Sequence, residues 1–345
     1  MNKQEKAVLY IYAGGVKEVL LNENARDNCT EPYILLKKTF EAAGYRFDWE
    51  PLMDLELYEK IIFLDVASFG RTEFYRVYPR RVKNLLLGRS MLNVYEEALK
   101  KKLYEKMVLF LVEPASVCTE NYDKRMHVPF PVIFTWNDDL VDNRKYFKFY
   151  PPVPAAYPEI REIPFSEKKM LINVSRNKFS KHPLELYSSR LEAIRYFEEH
   201  YPDDFDLVGS GWGKGDSVGR PFKSYRGEAA NKWDVLPKYK FCLAYENIYS
   251  ENGYVSEKVF DALRCKTVPV YWGAPNITQY IPEEAFIDRR KFSSTEKLAS
   301  FLKGIKEEEY LEYRDHGEKF LQSGEFKKFL SANYVSNIMK VINIK

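Results

Sequence analysis

The stretch from Tyr239 to Phe292, YKFCLAYENIYSENGYVSEKVFDALRCKTVPVYWGAPNITQYIPEEAFIDRRKF, decides the fold. Its uninterrupted apolar run predicts a buried strand over Phe241–Tyr245, which delivers Glu246 and Asn247 at its C-terminal end. Gly253 marks the loop that follows. Tyr254-Val-Ser256-Glu257-Lys258 opens a helix, with Ser256 placed to cap it and Val259, Phe260, Ala262 and Leu263 as its apolar side. A second buried strand, Thr267 to Trp272, ends in Gly273-Ala274-Pro275-Asn276. Strand, polar loop, helix, strand is the unit of an α/β sheet, and such sheets bind ligands beyond the carboxyl ends of their strands. The helix N-terminus carries partial positive charge beside Lys258, which suits a phosphate. A lysine in the first turn of a helix is on its own an ordinary solvated residue. The polar residues gathered around this one are what single it out.

Within that stretch, YENIYSENGYVSEKVFDALRCKTVPVYWGAPNITQYIP resembles the signature of the α-1,3-fucosyltransferases, glycosyltransferase family 10. That signature runs F-E-N, a short loop, Y-V-T-E-K, an amphipathic helix and a P-V-Y-x-G-x-P turn. The resemblance extends upstream through Glu185-Leu-Tyr-Ser-Ser-Arg190, Tyr225-x-Gly227, Lys232 and Tyr239-Lys240-Phe241, and downstream through Phe286-Ile287-Asp288. Tyr245 stands where the family has Phe, Ser256 where it has Thr, and Ile248 where it has a small polar residue.

The resemblance implies the GT-B type of α/β fold, two Rossmann-like domains facing each other across a cleft. It also implies an inverting transfer of L-fucose from GDP-fucose to a sugar hydroxyl, commonly the 3-hydroxyl of N-acetylglucosamine or glucose, with no cofactor and no metal. Arg190 matches the family's diphosphate-contacting arginine, and Asn247, Tyr254, Glu257 and Lys258 match donor-site residues, with Glu257 assigned to ribose or sugar hydroxyls. Glu246 and Asn177 join them as donor-side candidates. The catalytic base of the family is a glutamate after a strand of the N-terminal domain. Glu113, closing the run Met107–Val112, fits that place best, and Glu120 of Thr119-Glu120-Asn121 is the competitor. Such a base removes the acceptor proton while fixed positive charge stabilises the departing diphosphate.

The 345 residues exceed what one core usually supports, so two domains are expected, and 45% hydrophobic with 16% aromatic residues supplies two cores. A net charge of only +3 at 30% charged residues argues against a nucleic-acid binder driven by bulk charge. The four cysteines, Cys29, Cys118, Cys242 and Cys265, lack CxxC spacing and read as buried free thiols in a reducing compartment. The sequons at Asn28, Asn173 and Asn276 read as accidental, since no secretory signal is present. No run of about 18 apolar residues occurs. A soluble, cytoplasmic protein is therefore expected; the family resemblance implies a bacterial form that acts on an oligosaccharide, glycolipid or lipopolysaccharide acceptor and reaches the inner membrane face only peripherally.

Along the chain, Ala7 to Tyr12 reads as a strand ending at Gly14-Gly15, without the further glycines of a dinucleotide fingerprint. Pro32 to Ala43 reads as a helix, and Ile61 to Val66, Met107 to Val112 and Pro131 to Trp136 as strands. The stretch Arg71 to Arg89 interleaves arginines with Phe74, Tyr75 and Tyr78, either a solvated helix face over a core or a surface for an anionic acceptor or membrane. Lys100 to Lys102 complement the dipole at a helix end. Asn137-Asp138-Asp139 and Asp204-Phe205-Asp206 read as turn and strand-entry residues ahead of metal ligands.

Five prolines between Pro151 and Pro164 exclude regular structure and mark a linker over 151–165 between an acceptor-side domain, 1–150, and a nucleotide-sugar domain, 166–325. The second domain opens with a strand Met170–Val174, the loop Ser175-Arg176-Asn177-Lys178 and a helix from Leu184 to His200. On that helix Arg190 lies near the apolar face, where a long cation can extend past it. After the strand Phe205–Val208, the loop Gly209 to Gly215 either wraps a ligand or is simply flexible. Helices are expected over Thr295–Ile305 and on to Leu321, and the tail, 326–345, reads as one amphipathic helix that packs back across the domain junction. Two rivals remain: the same fold with another nucleotide deoxysugar as donor, motivated by Tyr245 and Ile248, and a non-catalytic nucleotide-sugar or glycan binding module.

Overall fold

The computed structural model describes residues 6–12, 20–69, 93–216 and 218–343. Gly14-Gly15 and the stretch Arg71 to Arg89 lie outside the described residues. The chain divides into two compact units: Met1–Glu23, Thr30–Tyr150 and Tyr334–Lys345 form unit 1, and Asn24–Cys29 with Pro151–Asn333 form unit 2.

Among the described residues unit 1 carries a six-stranded sheet built from β1 (Lys6–Tyr12), β2 (Tyr45–Asp48), β3 (Lys60–Leu64), β4 (Met107–Leu111), β5 (Val132–Thr135) and β6 (Tyr146–Lys148). The order is β2-β1-β3-β4-β5-β6 and every neighbouring pair is parallel. The central strands are buried on both faces, which is why they read as continuous apolar runs. The edge strands YRFD and YFK mix polar with aromatic residues and give no such signal. Helices α1 (Glu31–Ala42), α2 (Val94–Lys100) and the short α3 (Lys124–His127) complete the described part. The side chain of Asn93 caps α2 by accepting from Glu96 N. Phe69 stacks on Tyr95 at 4.0 Å between centroids in a core with Leu9, Phe63, Leu109 and Ile133. The third strand is shorter than its apolar pattern suggests. It stops at Leu64 because Asp65 adopts a left-handed backbone, φ 58°, and turns the chain out of the sheet.

Unit 2 holds a five-stranded parallel sheet, β7 (Lys169–Val174), β8 (Phe205–Val208), β9 (Tyr239–Tyr245), β10 (Val268–Trp272) and β11 (Ile287–Asp288), in the order β11-β10-β9-β7-β8. Its helices are α4 (Tyr187–His200), α5 (Glu257–Arg264), α6 (Thr295–Gly304), α7 (Glu307–Leu321) and α8 (Gly324–Lys327). One face of β9 sends Phe241, Leu243 and Tyr245 into a cluster with Ile194 and Phe197 of α4. Cys242 points the other way, towards Ala262 and Cys265. Both units are thus parallel α/β sheets of the Rossmann-like kind found in GT-B proteins.

Several local expectations need correction. Helix α4 begins at Tyr187, because Glu185 pairs with Ile248 and Leu186 N donates to Asn247 O, which ties the preceding residues to the loop after β9 instead of to a helical turn. The tail is not one helix: after α8 it turns and resumes as α9 (Ser331–Val341), while Phe326 and Phe329 pack on Phe260. From Tyr334 onward it belongs to unit 1, where Tyr334 meets Phe110 and Phe149 and Asn337 donates to Lys148 O. The proline-rich segment packs within unit 2, with Tyr157 set edge-on against Trp233 and its hydroxyl 3.0 Å from Cys265 Sγ. Three cysteines are buried, but Cys29 is exposed. Asn173 is fully buried in β7, which leaves no room for a glycan there. Among the described residues no helix is long and apolar enough to cross a membrane.

Candidate functional site

Strand β9 ends by placing Glu246 below the start of α5. The carboxylate is fully buried and accepts three hydrogen bonds: from Ser256 N at 2.8 Å, Ser256 Oγ at 2.7 Å and Lys258 Nζ at 3.1 Å. Lys258 Nζ also lies 3.1 Å from Ser256 Oγ. One carboxylate therefore fixes the cap, the first turn of α5 and the lysine together. A buried carboxylate is stable only when paired and hydrogen-bonded in this way. The close approach of β10 depends on Gly273, where a Cβ would fall 2.4 Å from Glu246 Cγ and 2.5 Å from Tyr271 Oη. On its other side α5 is anchored by Phe260, whose ring centre is 4.5 Å from that of Phe329. Burying such a ring contributes about 1.5–3 kcal/mol.

Arg190 enters the same place from α4. Its guanidinium is enclosed, 3% exposed, and donates to Tyr245 O at 2.8 Å and Glu246 O at 3.1 Å. It does not extend past the apolar face, as its helical position suggests, because the end of β9 covers it. Burial pushes its pKa below the usual value, while Tyr187 and Glu246 oppose the shift. Among the described residues no carboxylate lies within ion-pair distance of it. Lys258 and Arg190 thus converge on one residue, Glu246, the first through its carboxylate and the second through its carbonyl. Two cations held at the carboxyl end of a parallel strand, next to a helix N-terminus, form a setting for a diphosphate.

The other candidates divide between this locus and supporting roles. Asn247 Nδ2 lies 3.3 Å from the hydroxyl of Tyr254, itself 5% exposed, so these two join the locus from the loop side. Glu257 is half exposed, with Lys232 Nζ 3.6 Å from its carboxylate. Against its desolvation, Lys258 and Lys232 hold that carboxyl low. Lys232 is paired with buried Asp261, and its backbone N–H donates to Asp27. Lys232 was legible only as part of the wider resemblance, and its position beside Glu257 comes from packing.

Asn177 does not share the locus through its amide, which donates to Gly211 O and Gly215 O. The glycine-rich loop it holds is laid against backbone: a Cβ on Gly209 would fall 2.0 Å from Ser175 O, and Trp212 Nε1 donates to Ser175 O at 2.6 Å. Asp206 is committed to Lys169, Tyr239 and Arg226, while Asp138 pairs with Lys148 and Asn137 Oδ1 accepts from Asp139 N in a turn. Among the described residues no three His, Cys, Asp or Glu side chains converge as a metal site.

In unit 1, Glu113 follows β4 and is partly buried, with its backbone N–H donating to Asp65 Oδ1 at 3.1 Å. Glu120 is exposed in the turn Thr119–Tyr122, 3.7 Å from Cys118 Sγ. Asp65 is the residue missed by sequence reasoning, because it was absorbed into the apolar run before it.

Residues 188–335, nearly all of them in unit 2, match the family model "Glycosyltransferase family 10 (fucosyltransferase) C-term". An alpha-(1,4)-fucosyltransferase of Arabidopsis thaliana is 43% identical over 71 residues, 21% of this chain and 18% of that protein. The alpha-(1,3)-fucosyltransferase FucT of Helicobacter pylori is 34% identical over 73 residues, 21% of this chain and 15% of that protein. The chain thus matches less than a fifth of the length of these relatives. A crystal structure of an alpha1,3-fucosyltransferase with GDP superposes with a TM-score of 0.56 at 12% identity, over 99% of this chain and 92% of that one, a likeness of fold.

Proposed function

We propose that this protein is an inverting glycosyltransferase that moves L-fucose from GDP-fucose to a hydroxyl of an acceptor sugar. The observation that carries the reading is the convergence of Arg190 and Lys258 on Glu246 inside the segment that matches the fucosyltransferase family. In the proposed reaction Glu113 takes the proton of the acceptor hydroxyl, whose oxygen bonds to the anomeric carbon on the face opposite GDP. The bond from that carbon to the diphosphate breaks, and the electron pair leaves on GDP. Arg190 and Lys258 stabilise that growing charge without a divalent ion.

Tyr245 and Ile248, which keep another deoxysugar donor open, are each 1% exposed and packed within unit 2, so they give that alternative no support. An oligosaccharide, glycolipid or lipopolysaccharide-type acceptor, met at the cytoplasmic membrane face of a bacterium, belongs to the same proposal.

Titration of GDP, UDP and CMP in excess EDTA, with turnover of GDP-fucose by Glu113→Gln, tests the reading. GDP should bind selectively in chelator, and the variant should keep GDP affinity while turning over ~10²-fold slower, the scale of a lost general base. Preference for UDP, or loss of GDP binding in EDTA, refutes the donor reading. Near-normal turnover by Glu113→Gln refutes the base.

A further inference from the structure

We propose that Asp65, with Asn121, is a positioning residue for the Glu113 base, clamping the backbone that carries it. This inference rests on the reading of Glu113 above and adds to it the element that holds the base in place.

Asp65 follows β3 directly and is 7% exposed. Its Oδ1 accepts from Val112 N at 2.7 Å, Glu113 N at 3.1 Å and Asn121 Nδ2 at 2.7 Å. Asn121, fully buried, closes the frame: its Nδ2 also donates to Glu113 O at 2.9 Å, and its Oδ1 accepts from Val66 N at 2.8 Å. Both the N–H and the C=O of Glu113 are therefore held by these two side chains at the point where β4 ends and ladder hydrogen bonds cease to fix the chain. The left-handed backbone of Asp65, φ 58°, turns its carboxylate across the end of the neighbouring strand. Asn and Asp tolerate that conformation better than other residues with a Cβ. A buried side chain that gathers three donors at a strand end, two of them the backbone N–H groups of Val112 and Glu113, fixes the direction in which the chain leaves the sheet.

The groups that face this carboxyl are Glu113 after β4, Cys118 beyond it and Tyr10 of β1. His127 touches the frame through Asn121 O, with Nε2 at 2.9 Å. Desolvation, with help from the nearby Glu113 charge, raises the Asp65 carboxyl to about 7 against the hydrogen bonds from Glu113 N, Val112 N and Asn121. Its ionisation as the pH passes neutrality adds a negative charge beside Glu113.

Asp65→Gly keeps the left-handed backbone free of strain and deletes the clamp. Asp65→Asn keeps an acceptor oxygen and deletes the charge. Both are compared with Glu113→Gln using GDP-fucose and an acceptor sugar, with GDP affinity measured in parallel. Asp65→Gly should lower kcat by ~10–10²-fold with the donor KM nearly unchanged, the scale of a misplacement of about 1 Å. Asp65→Asn should recover most of that rate, but its kcat/KM profile should lack the rise near pH 7 seen in the wild type. Should Asp65→Gly fail to fold, the Asp65→Asn profile alone decides. The inference is overturned if Asp65→Gly turns over normally, if the two variants lose rate equally, or if the Asp65→Asn profile matches the wild type while Glu113→Gln is impaired. If Glu113→Gln itself is active, the base assignment has failed, and with it the premise.

Discussion

Replacing Glu246 by Gln separates a carboxylate that positions Lys258 from one that competes for it. The amide side chain in Glu246→Gln keeps an oxygen for Ser256 N, but its nitrogen replaces the oxygen now shared by Ser256 Oγ and Lys258 Nζ. Breaking a buried ion pair costs about 3–5 kcal/mol, and a hydrogen bond to a charged group about 1.5–3 kcal/mol. Lys258 is 18% exposed and can turn its ammonium towards water, so the loss should fall near the lower range, about 2–3 kcal/mol. For a unit of roughly 180 residues this corresponds to a Tm lower by about 4–12 °C. A lysine no longer held at the start of α5 should also bind a diphosphate more weakly. Loss of one oriented charged contact, about 1.5 kcal/mol, weakens affinity roughly tenfold. Calorimetric unfolding and isothermal titration with GDP measure the two effects. Tighter GDP binding by Glu246→Gln would show that the carboxylate competes with phosphate for Lys258. An unchanged Tm together with unchanged affinity would refute the positioning argument outright.

Arg190→Ala and Lys258→Ala should each reduce kcat by roughly 10²–10³ with a smaller rise in donor KM, since the diphosphate gains charge as its bond breaks. Arg190→Ala should be the less stable of the two in urea, because the Tyr245 and Glu246 carbonyls lose their donor. Turnover and GDP binding like wild type in both would mean that the locus has been misread. A third expectation concerns stability against pH. Asp65 keeps its proton up to about pH 7 when folded, whereas an unfolded aspartate loses it near 3.9. Across that window the native state binds more protons than the unfolded one, so this group's contribution falls as pH rises, by up to about 1.4 kcal/mol per unit. Asp65→Asn should therefore gain stability relative to wild type between about pH 4 and pH 7 and gain no more above it. A constant difference in urea unfolding across that range would refute the shift.

Much of the fold was legible because buried parallel strands such as β4 and β9 are unbroken apolar runs, and Ser256 carries an N-cap signal that the structure uses. What escaped were elements whose sequence has no period of its own. Strands β2 and β6 exist because a neighbouring strand offers its edge, and residues 185–186 stay out of the helix because Asn247 and Ile248 pair with them. The proline-rich segment shows the converse: its composition excludes helix and strand, yet Tyr157 still finds Trp233 and Cys265.

The site follows the same division, for a physical reason. Glu246, Ser256 and Lys258 are near one another in the chain, so a strand end, a cap and a first turn can be inferred to meet. Arg190 is 56 residues from Glu246, and only the packing of α4 under β9 brings its guanidinium to the two carbonyls. Sequence periodicity placed it close to an apolar face, but the covering strand end turns an apparent surface cation into a buried one. The consequence is energetic: a cation already stripped of water and held by carbonyl dipoles needs little reorganisation to meet an anion, whereas a solvated one must first be desolvated. Lys258 is prepared in the other way, by a buried carboxylate that sets its direction. The locus thus combines one cation preorganised by burial with one preorganised by pairing, and Glu246, which touches both, is the residue whose replacement should disturb them together.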